Sequence, residues 1–268
     1  MDRIYIPSYG RANKQITWNN LPDKWKEKTT IVVDESEYNE YSSLYPSVLS
    51  LPKGMKGIAP IREWIVKQAT EEKISMLDDD LNFVYTRRKD EDGQTNRKCN
   101  DDDMEKMFEL MSTWLDEVVF CGLDATWSHP QFGIDYKFCG RVCSNVFYNT
   151  KTLPKDLEWT DLEVSEDYNI GLQLLTRGLP NYVSTRYRVS PVDNFSEGGC
   201  NATTRTLEVH NDCWVKLQKK FPNFVKVYTK PEEKSGMWKG QERLGGVVQW
   251  KKAYELSLIH ISEPTRRR

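Results

Sequence analysis

The sequence predicts an α/β domain built on a mostly parallel sheet, and three observations predict it. Three short apolar runs, at 3–6, 29–33 and 73–77, have the length and β-rich composition of strands. Helix-like segments at 37–41 and 60–70 separate them with short loops, the alternation that builds parallel sheets. Each run stops at a polar cluster: Pro7-Ser8-Tyr9-Gly10-Arg11, then Asp34-Glu35-Ser36, then Asp78-Asp79-Asp80. The 268 residues, 38% hydrophobic and 12% aromatic with nine Trp, suffice for one sizeable core and suit a single large domain better than two small ones.

The elements follow in order. In the stretch 60–70, Ile61, Trp64, Ile65 and Ala69 recur at helical spacing, and Pro60 suits a first helical turn. The polar, charged stretch 90–103 is expected to be a mobile loop, with Asp101, Asp102 and Asp103 capping a helix over 104–118. The alternation over 138–148 predicts a strand. Ser165-Glu166-Asp167 introduces a helix at 168–176 that Arg177-Gly178 closes. A strand at 181–189, a flexible Gly-Gly turn at 196–201 and a helix at 206–221 complete the reading, with no internal repeat.

Composition excludes several classes. With 38 basic against 40 acidic side chains the net charge is -2, which excludes a basic nucleic-acid coating protein; the composition is neither collagenous nor that of a disordered tail. Mean hydropathy is -0.69, no run approaches the ~20 apolar residues of a membrane span, and the N-terminus enters a strand without a signal-peptide pattern. A cytoplasmic location is therefore expected. Cysteines 99, 121, 139, 143, 200 and 213 form no CxxC pair, so reduced thiols are expected rather than a zinc site or disulfides.

The chemistry concentrates at the strand ends, where open α/β sheets bind ligands. Asp78 and Asp80, two residues apart, project to one side and can share a hard divalent cation that also holds phosphate oxygens. Three aspartates ending a strand also describe a solvated turn. Asp34 ends the preceding strand, and Arg62 lies on the intervening helix, either as a phosphate partner or as a surface charge. Glu166 and Asp167 read as helix-start acids that complement the dipole, or as a general base beside the first acidic cluster. Between 214 and 240, seven Lys oppose Glu232 and Glu233 and interleave with Trp214, Phe221, Phe224, Tyr228 and Trp238. That pattern can bind a nucleic-acid backbone and stack bases, or it is a solvated helix face over core aromatics. Arg177, Arg186 and Arg188 form a second basic group.

Taken in order, the PSYGR turn, Val33-Asp34, the segment from Gly57 to Arg62, Met76-Leu77-Asp78-Asp79-Asp80 and Glu166-Asp167-Tyr168 resemble the motifs of GT-A glycosyltransferases across residues 3–180. The resemblance implies a Rossmann-like GT-A fold over 1–255, with a nucleotide-sugar half at 1–90 and an acceptor half at 91–255. It implies that Pro7, Tyr9 and Arg11 border the nucleotide, that Asp34 meets uracil or ribose, and that Arg62 and the acidic turn with Asp79 steady the donor. Asp78 and Asp80 match the outer members of the family's DxD motif for Mn2+ or Mg2+, with His210 as the late histidine ligand. Asp167, with Glu166 beside it, matches the base of inverting members. The PSYGR turn, the MLDDDL strand end and the Gly-Gly turn resemble more narrowly the viral enzymes associated with TET/JBP dioxygenases. Those are thought to transfer sugar from a UDP-sugar to 5-hydroxymethylpyrimidines, 5-hydroxymethylcytosine foremost, in phage DNA. The 90–103 loop or the segment 127–132 would form the acceptor wall. The sequence leaves open a protein or polysaccharide acceptor, a nucleotidyltransferase of the same sheet, and a catalytically silent DNA-binding module. Residues 256–266 resemble a translated sequencing adaptor, so 256–268 is set aside from fold reasoning and the natural C-terminus is expected beyond about Glu255.

Overall fold

The computed structural model describes residues 1–88, 91, 95–128, 134–191, 205–232, 234 and 238–262. The chain opens with β1 (Arg3–Pro7), α1 (Ile16–Asn20), α2 (Asp23–Lys26), β2 (Thr29–Val33), a 3-10 turn at Glu35–Glu37, α3 (Tyr38–Leu44), β3 (Val48–Ser50), α4 (Ile58–Gln68) and β4 (Lys73–Leu77). It continues with β5 (Leu81–Thr86), β6 (Asn96–Lys98), α5 (Asp101–Trp114), β7 (Phe120–Ala125), β8 (Tyr136–Phe138), β9 (Asn145–Asn149), α6 (Glu166–Leu175) and β10 (Asn181–Pro191). Last come α7 (Leu207–Lys220), β11 (Val225–Lys230), β12 (Arg243–Val248) and α8 (Trp250–Ser262).

Ten strands form one sheet in the order β3-β2-β1-β4-β9-β7-β10-β5-β6, with β8 also on β10. The block β3-β2-β1-β4 is parallel throughout, as the strand and helix alternation predicts. From β1 the chain steps outward to β2 and β3, then returns to place β4 on the other side of β1. The direction of winding therefore reverses between β1 and β4, and a crevice opens beyond their carboxyl ends. Strand β9 runs antiparallel to β4, pairing Leu77 with Asn145, so the residues just before β9 lie beside those just after β4.

Side-chain alternation sends Tyr5, Ile74 and Met76 to one face and Ile4, Ile6 and Leu77 to the other, and two apolar clusters cover the faces. On the second face α5 buries Met104, Met107, Phe108 and Met111, the spacing of one helical stripe. Opposite, Ala59, Arg62 and Ile65 of α4 are buried. Beyond the sheet, α7 packs on the β11-β12 hairpin, where a Cβ at Gly246 would lie 2.2 Å from the Trp214 ring. The same C-terminal region seats Trp250 of α8 in a stack with Tyr168 of α6.

Several expectations change. The stretch 138–148 is not one strand: it divides into β8 and β9, with Cys139 and Ser144 at φ 56° and 60° breaking the extended backbone. Helix α5 is capped by Asn100, which forms a capping box with Asp103, while Asp101 and Asp102 sit in the first turn. Trp214 and Phe221 of the basic stretch are buried and Phe224 packs against the core, whereas Tyr228 is 44% exposed. Arg188 is also buried, Arg177 pairs with Asp156, and Arg186 with Glu91. The predicted turn at 196–201 and residues 129–132 lie outside the described residues, as do 90 and 92–94 of the predicted loop. Among the described residues no helix is long and apolar enough to cross a membrane.

Candidate active site

The turn after β4 is held from behind. Thr17 of α1 donates its hydroxyl to the Asp78 carbonyl at 2.5 Å, accepts from Leu81 N at 2.9 Å, and its own N donates to the Asp79 carbonyl at 3.0 Å. The middle carboxylate is drawn inward: Ser8 Oγ donates to Asp79 Oδ2 and Arg11 Nη1 to Oδ1, both at 2.5 Å. Gln15 donates to Ser8 Oγ at 2.6 Å, and Tyr41 OH accepts from Arg11 N at 3.0 Å. Asp79 is therefore a buried anchor that fixes the PSYGR turn to the acidic turn. Asp78 and Asp80 face the crevice with their side chains 33% and 20% exposed, against 6% for Asp79.

Arg62 spans from the acidic turn to the start of α6. Its Nη2 donates to Asp78 Oδ1 at 2.7 Å and its Nη1 to Glu166 Oε1 at 2.6 Å, deep enough that the residue is 5% exposed. It is an interior cross-link, not a helix-surface charge. Gly57, at φ 87° in the left-handed region that favours glycine, turns the chain into α4 and so aims Arg62 inward. Asp167 accepts from Arg141 Nε at 2.8 Å, and the Arg141 guanidinium lies over the rings of Tyr168 and Trp127 at 4.1 and 5.9 Å. Ser165 precedes α6 at φ 65° and its side chain makes no capping hydrogen bond.

Burial dominates the electrostatics. It pushes the Asp80 carboxyl up to about 7, with the neighbouring Asp78 and Asp79 adding to the rise and Arg11 opposing it. Burial likewise raises Glu166 and Asp79, opposed chiefly by Arg62 and by Ser8 with Arg11 respectively. Asp34 moves the other way, because the Ser36 hydroxyl and backbone N–H both donate to its Oδ1. The Cys143 thiol, buried beside Arg141, rises to about 12.

Pro7, Tyr9, Arg11, Asp34, Arg62, Asp78, Asp79, Asp80, Glu166 and Asp167 all border one cleft of about 1110 Å³. His210 does not: its Nε2 lies 2.9 Å from the Leu244 carbonyl and its ring packs on Trp238. Among the described residues no group of three or more His, Cys, Asp or Glu side chains is arranged to hold a metal ion. Arg141 and Ser8 are cleft residues that sequence reasoning did not single out as binding groups. Ser8 had a signal, its place in the PSYGR turn; Arg141 had none, because it reaches Asp167 only through the antiparallel placement of β9.

Residues 3–200 match the model of the TET-associated glycosyltransferase family. Over 245 residues the chain is 26% identical to the beta-glucosyl-HMC-alpha-glucosyl-transferase of Enterobacteria phage T6 and 25% identical to that of phage T2, covering 87% of this chain and 86% of each relative. Among solved structures, S. aureus TarS 1-349 in complex with UDP-GlcNAc aligns with a TM-score of 0.50 at 15% identity. The alignment covers 81% of this chain and 66% of that one, and it extends the likeness to the fold. The matched span runs from β1 through the acidic turn and the start of α6 to the end of β10, and by it the chain belongs to the TET-associated glycosyltransferase family.

Proposed function

We propose that the cleft binds a UDP-sugar and transfers its hexose to the hydroxyl of a 5-hydroxymethylpyrimidine, 5-hydroxymethylcytosine foremost, in DNA. The observation that carries this reading is the pair of outward carboxylates, Asp78 and Asp80, at the β1/β4 crevice, with Asp167 bordering the same cleft. The identity of the base follows the T6 and T2 relatives, whose name carries HMC, although it gives the base in glucosylated form. The donor follows TarS, which shares the fold and was solved with UDP-GlcNAc.

Asp34 and Tyr9 border the cleft where the nucleoside would lie, and Arg11 and Arg62, bridged to Asp79 and to Asp78 with Glu166, would meet the diphosphate from behind the acidic turn. The donor set fits Mg2+ or Mn2+. Such an ion takes one or two carboxylates and fills its shell with phosphate oxygens and water, and Asp80 sits in a concentration of negative charge that Arg11 meets only at 3.4 Å. Asp80 and Asp78 would hold it, and when bound it supplies neutralisation of the departing diphosphate. His210, turned to Leu244, is left out of this set. As the anomeric C–O bond breaks, its electron pair leaves on the β-phosphate oxygen; the acceptor oxygen bonds to the anomeric carbon, and its proton passes to Asp167. Arg141 orients that carboxylate through Oδ2. Direct displacement inverts the anomeric centre. The relatives' names favour a second reading, in which the acceptor is a sugar already on the base and the new linkage is α, an outcome that from an α-linked UDP-sugar requires retention in place of the direct displacement.

Mass spectrometry of nucleosides from hydroxymethylated, β-glucosylated and plain DNA, incubated with UDP-sugars and Mn2+ or Mg2+, tests both. A hexose-sized gain on hydroxymethylcytosine supports the first reading, and a gain confined to the glucosylated base supports the second. Labelling of plain DNA, or of oligosaccharide alone, overturns both. Sensitivity of the product to α- or β-glucosidase reads the anomer.

A further inference from the structure

Beside the donor cleft lies a second cavity of about 830 Å³, within the size range of small-ligand sites, and Trp127, Arg141 and Cys143 border both spaces. Its apolar lining is unusual in being aromatic and uncovered. Trp127 is 59% exposed, Tyr136 44% and Phe138 39%. Two of these rings are packed against neighbours. Tyr136 is held edge-on by Trp114 and Tyr182 at 5.7 and 5.1 Å, and Phe138 by Tyr254 at 5.3 Å.

The turn that carries Trp127 is braced by polar groups that the proposed reaction does not use. Arg188, 1% exposed, donates from Nη2 to the Ala125 carbonyl at 2.7 Å and the Ser128 carbonyl at 2.6 Å. Ser128 Oγ and Lys137 Nζ both donate to Asp124 Oδ2, at 2.5 and 2.7 Å. A buried arginine is a costly way to fix a surface turn, and what it fixes is an indole presented at the wall between two cavities. Lys137, Lys251 and Arg141 border the same opening, each beside a carboxylate, Asp124, Glu255 and Asp167 respectively, that a phosphate would have to displace or share.

We propose that this cavity is the acceptor subsite, in which an unstacked pyrimidine nucleotide of DNA stacks on Trp127 with its substituent directed past Arg141 into the donor cleft. The proposal rests on the DNA reading of the function and gives it a location. Exposed, rigid aromatics flanked by cations are the chemistry that holds single nucleotides: rings take the base and cations the phosphates. A base within duplex DNA would have to leave its stack to arrive there.

Anisotropy of a fluorescein-labelled single-stranded oligonucleotide with one 5-hydroxymethylcytosine, beside steady-state transfer from UDP-glucose, tests the platform. Trp127→Ala is expected to weaken binding and raise the KM for DNA by about tenfold, and Trp127→Phe to restore most of the loss. Unchanged DNA binding in Trp127→Ala overturns the proposal. A donor KM rising as steeply as the DNA KM also overturns it, making Trp127 a wall of the sugar-nucleotide site. So does displacement of the oligonucleotide by a neutral oligosaccharide. Arg188→Met, read by the same anisotropy with its thermal midpoint recorded, is expected to lose affinity while remaining folded; full affinity there removes the brace from the argument. Wild-type binding that depends on Trp127 but gives no sugar transfer would sink the reaction and leave the platform standing.

Discussion

Asp80 carries a conflict that a cation would relieve. Its carboxyl ionises near 3.8 when free of the fold but at about 7 within it, because burial and two neighbouring aspartates penalise the charge. Between those values the folded chain holds more protons at this site than the unfolded chain. Asp80's contribution to stability is therefore complete below about pH 4 and is lost as the pH climbs to about 7. Without divalent ions, Asp80→Asn is expected to raise the thermal midpoint at pH 8 by a few degrees and to leave it nearly unchanged at pH 4. Added Mn2+ should stabilise the wild type and not the variant, a readout independent of turnover; a Mn2+ response retained in Asp80→Asn would remove this residue from the ion's shell. At Asp167 the expected effect is on rate. Asp167→Asn keeps an oxygen for Arg141 but cannot take a proton, so kcat should fall about 10^2- to 10^4-fold with little change in donor KM, measured by UDP release. Both acids were legible in the sequence because each belongs to a short local motif. Arg141 was not, since nothing adjacent to it in the chain marks it and its place comes from the β4-β9 register. Asp79 was legible as part of the triple aspartate, but its inward turn onto Ser8 and Arg11 depends on contacts about 70 residues away.

Helix starts show why local motifs mislead about mechanism at the level of elements. Ser165 precedes two acids and looks like a cap, yet its backbone is left-handed and its hydroxyl makes no cap bond. Thr206 does cap α7, accepting from Val209 N, and Asn100 caps α5 in a reciprocal box. Chemical unfolding should separate them. Thr206→Ala and Asn100→Ala are each expected to cost about 1 kcal/mol, whereas Ser165→Ala should cost little, and Ser165→Gly should be neutral or stabilising. A full cap-sized loss in Ser165→Ala would mean that its hydroxyl satisfies α6 after all. The strands β2 and β4 coincide with their predicted ranges because they are short, largely buried runs with an apolar core bounded by polar turns. Strand β7 escaped notice because Phe120–Ala125 contains Gly122 and Asp124, residues that dilute an apolar run. Gly122 is required there: a Cβ would fall 2.4 Å from Val142 Cγ1, where the segment before β9 crosses it.

Across the whole molecule, positive charge is abundant but largely committed. Lys220 pairs with Glu158 and Asp161, Lys216 with Asp212, Arg177 with Asp156 and Arg186 with Glu91, while the net charge is -2. The cations around the second cavity are paired too, Lys137 with Asp124, Arg141 with Asp167 and Lys251 with Glu255, so a surface of this kind offers a DNA strand few uncompensated charges. Affinity must then come mainly from base stacking and from the modified base itself, and its dependence on salt should be shallow. If two or three phosphates are contacted on a single strand, raising the salt from 50 to 200 mM should weaken binding about 7- to 18-fold, far less than the 10^3- to 10^5-fold loss of proteins that grip six to ten phosphates of duplex DNA. Trp127→Ala should lower affinity by a similar factor at every salt concentration, leaving the slope of log affinity against log salt unchanged, because removing a neutral ring removes no counterion exchange. Anisotropy titrations across that range measure both slopes. A wild-type loss beyond 10^3-fold would make the phosphate backbone the dominant partner. The paired lysines of α7 would then have to exchange their carboxylate partners for DNA on binding.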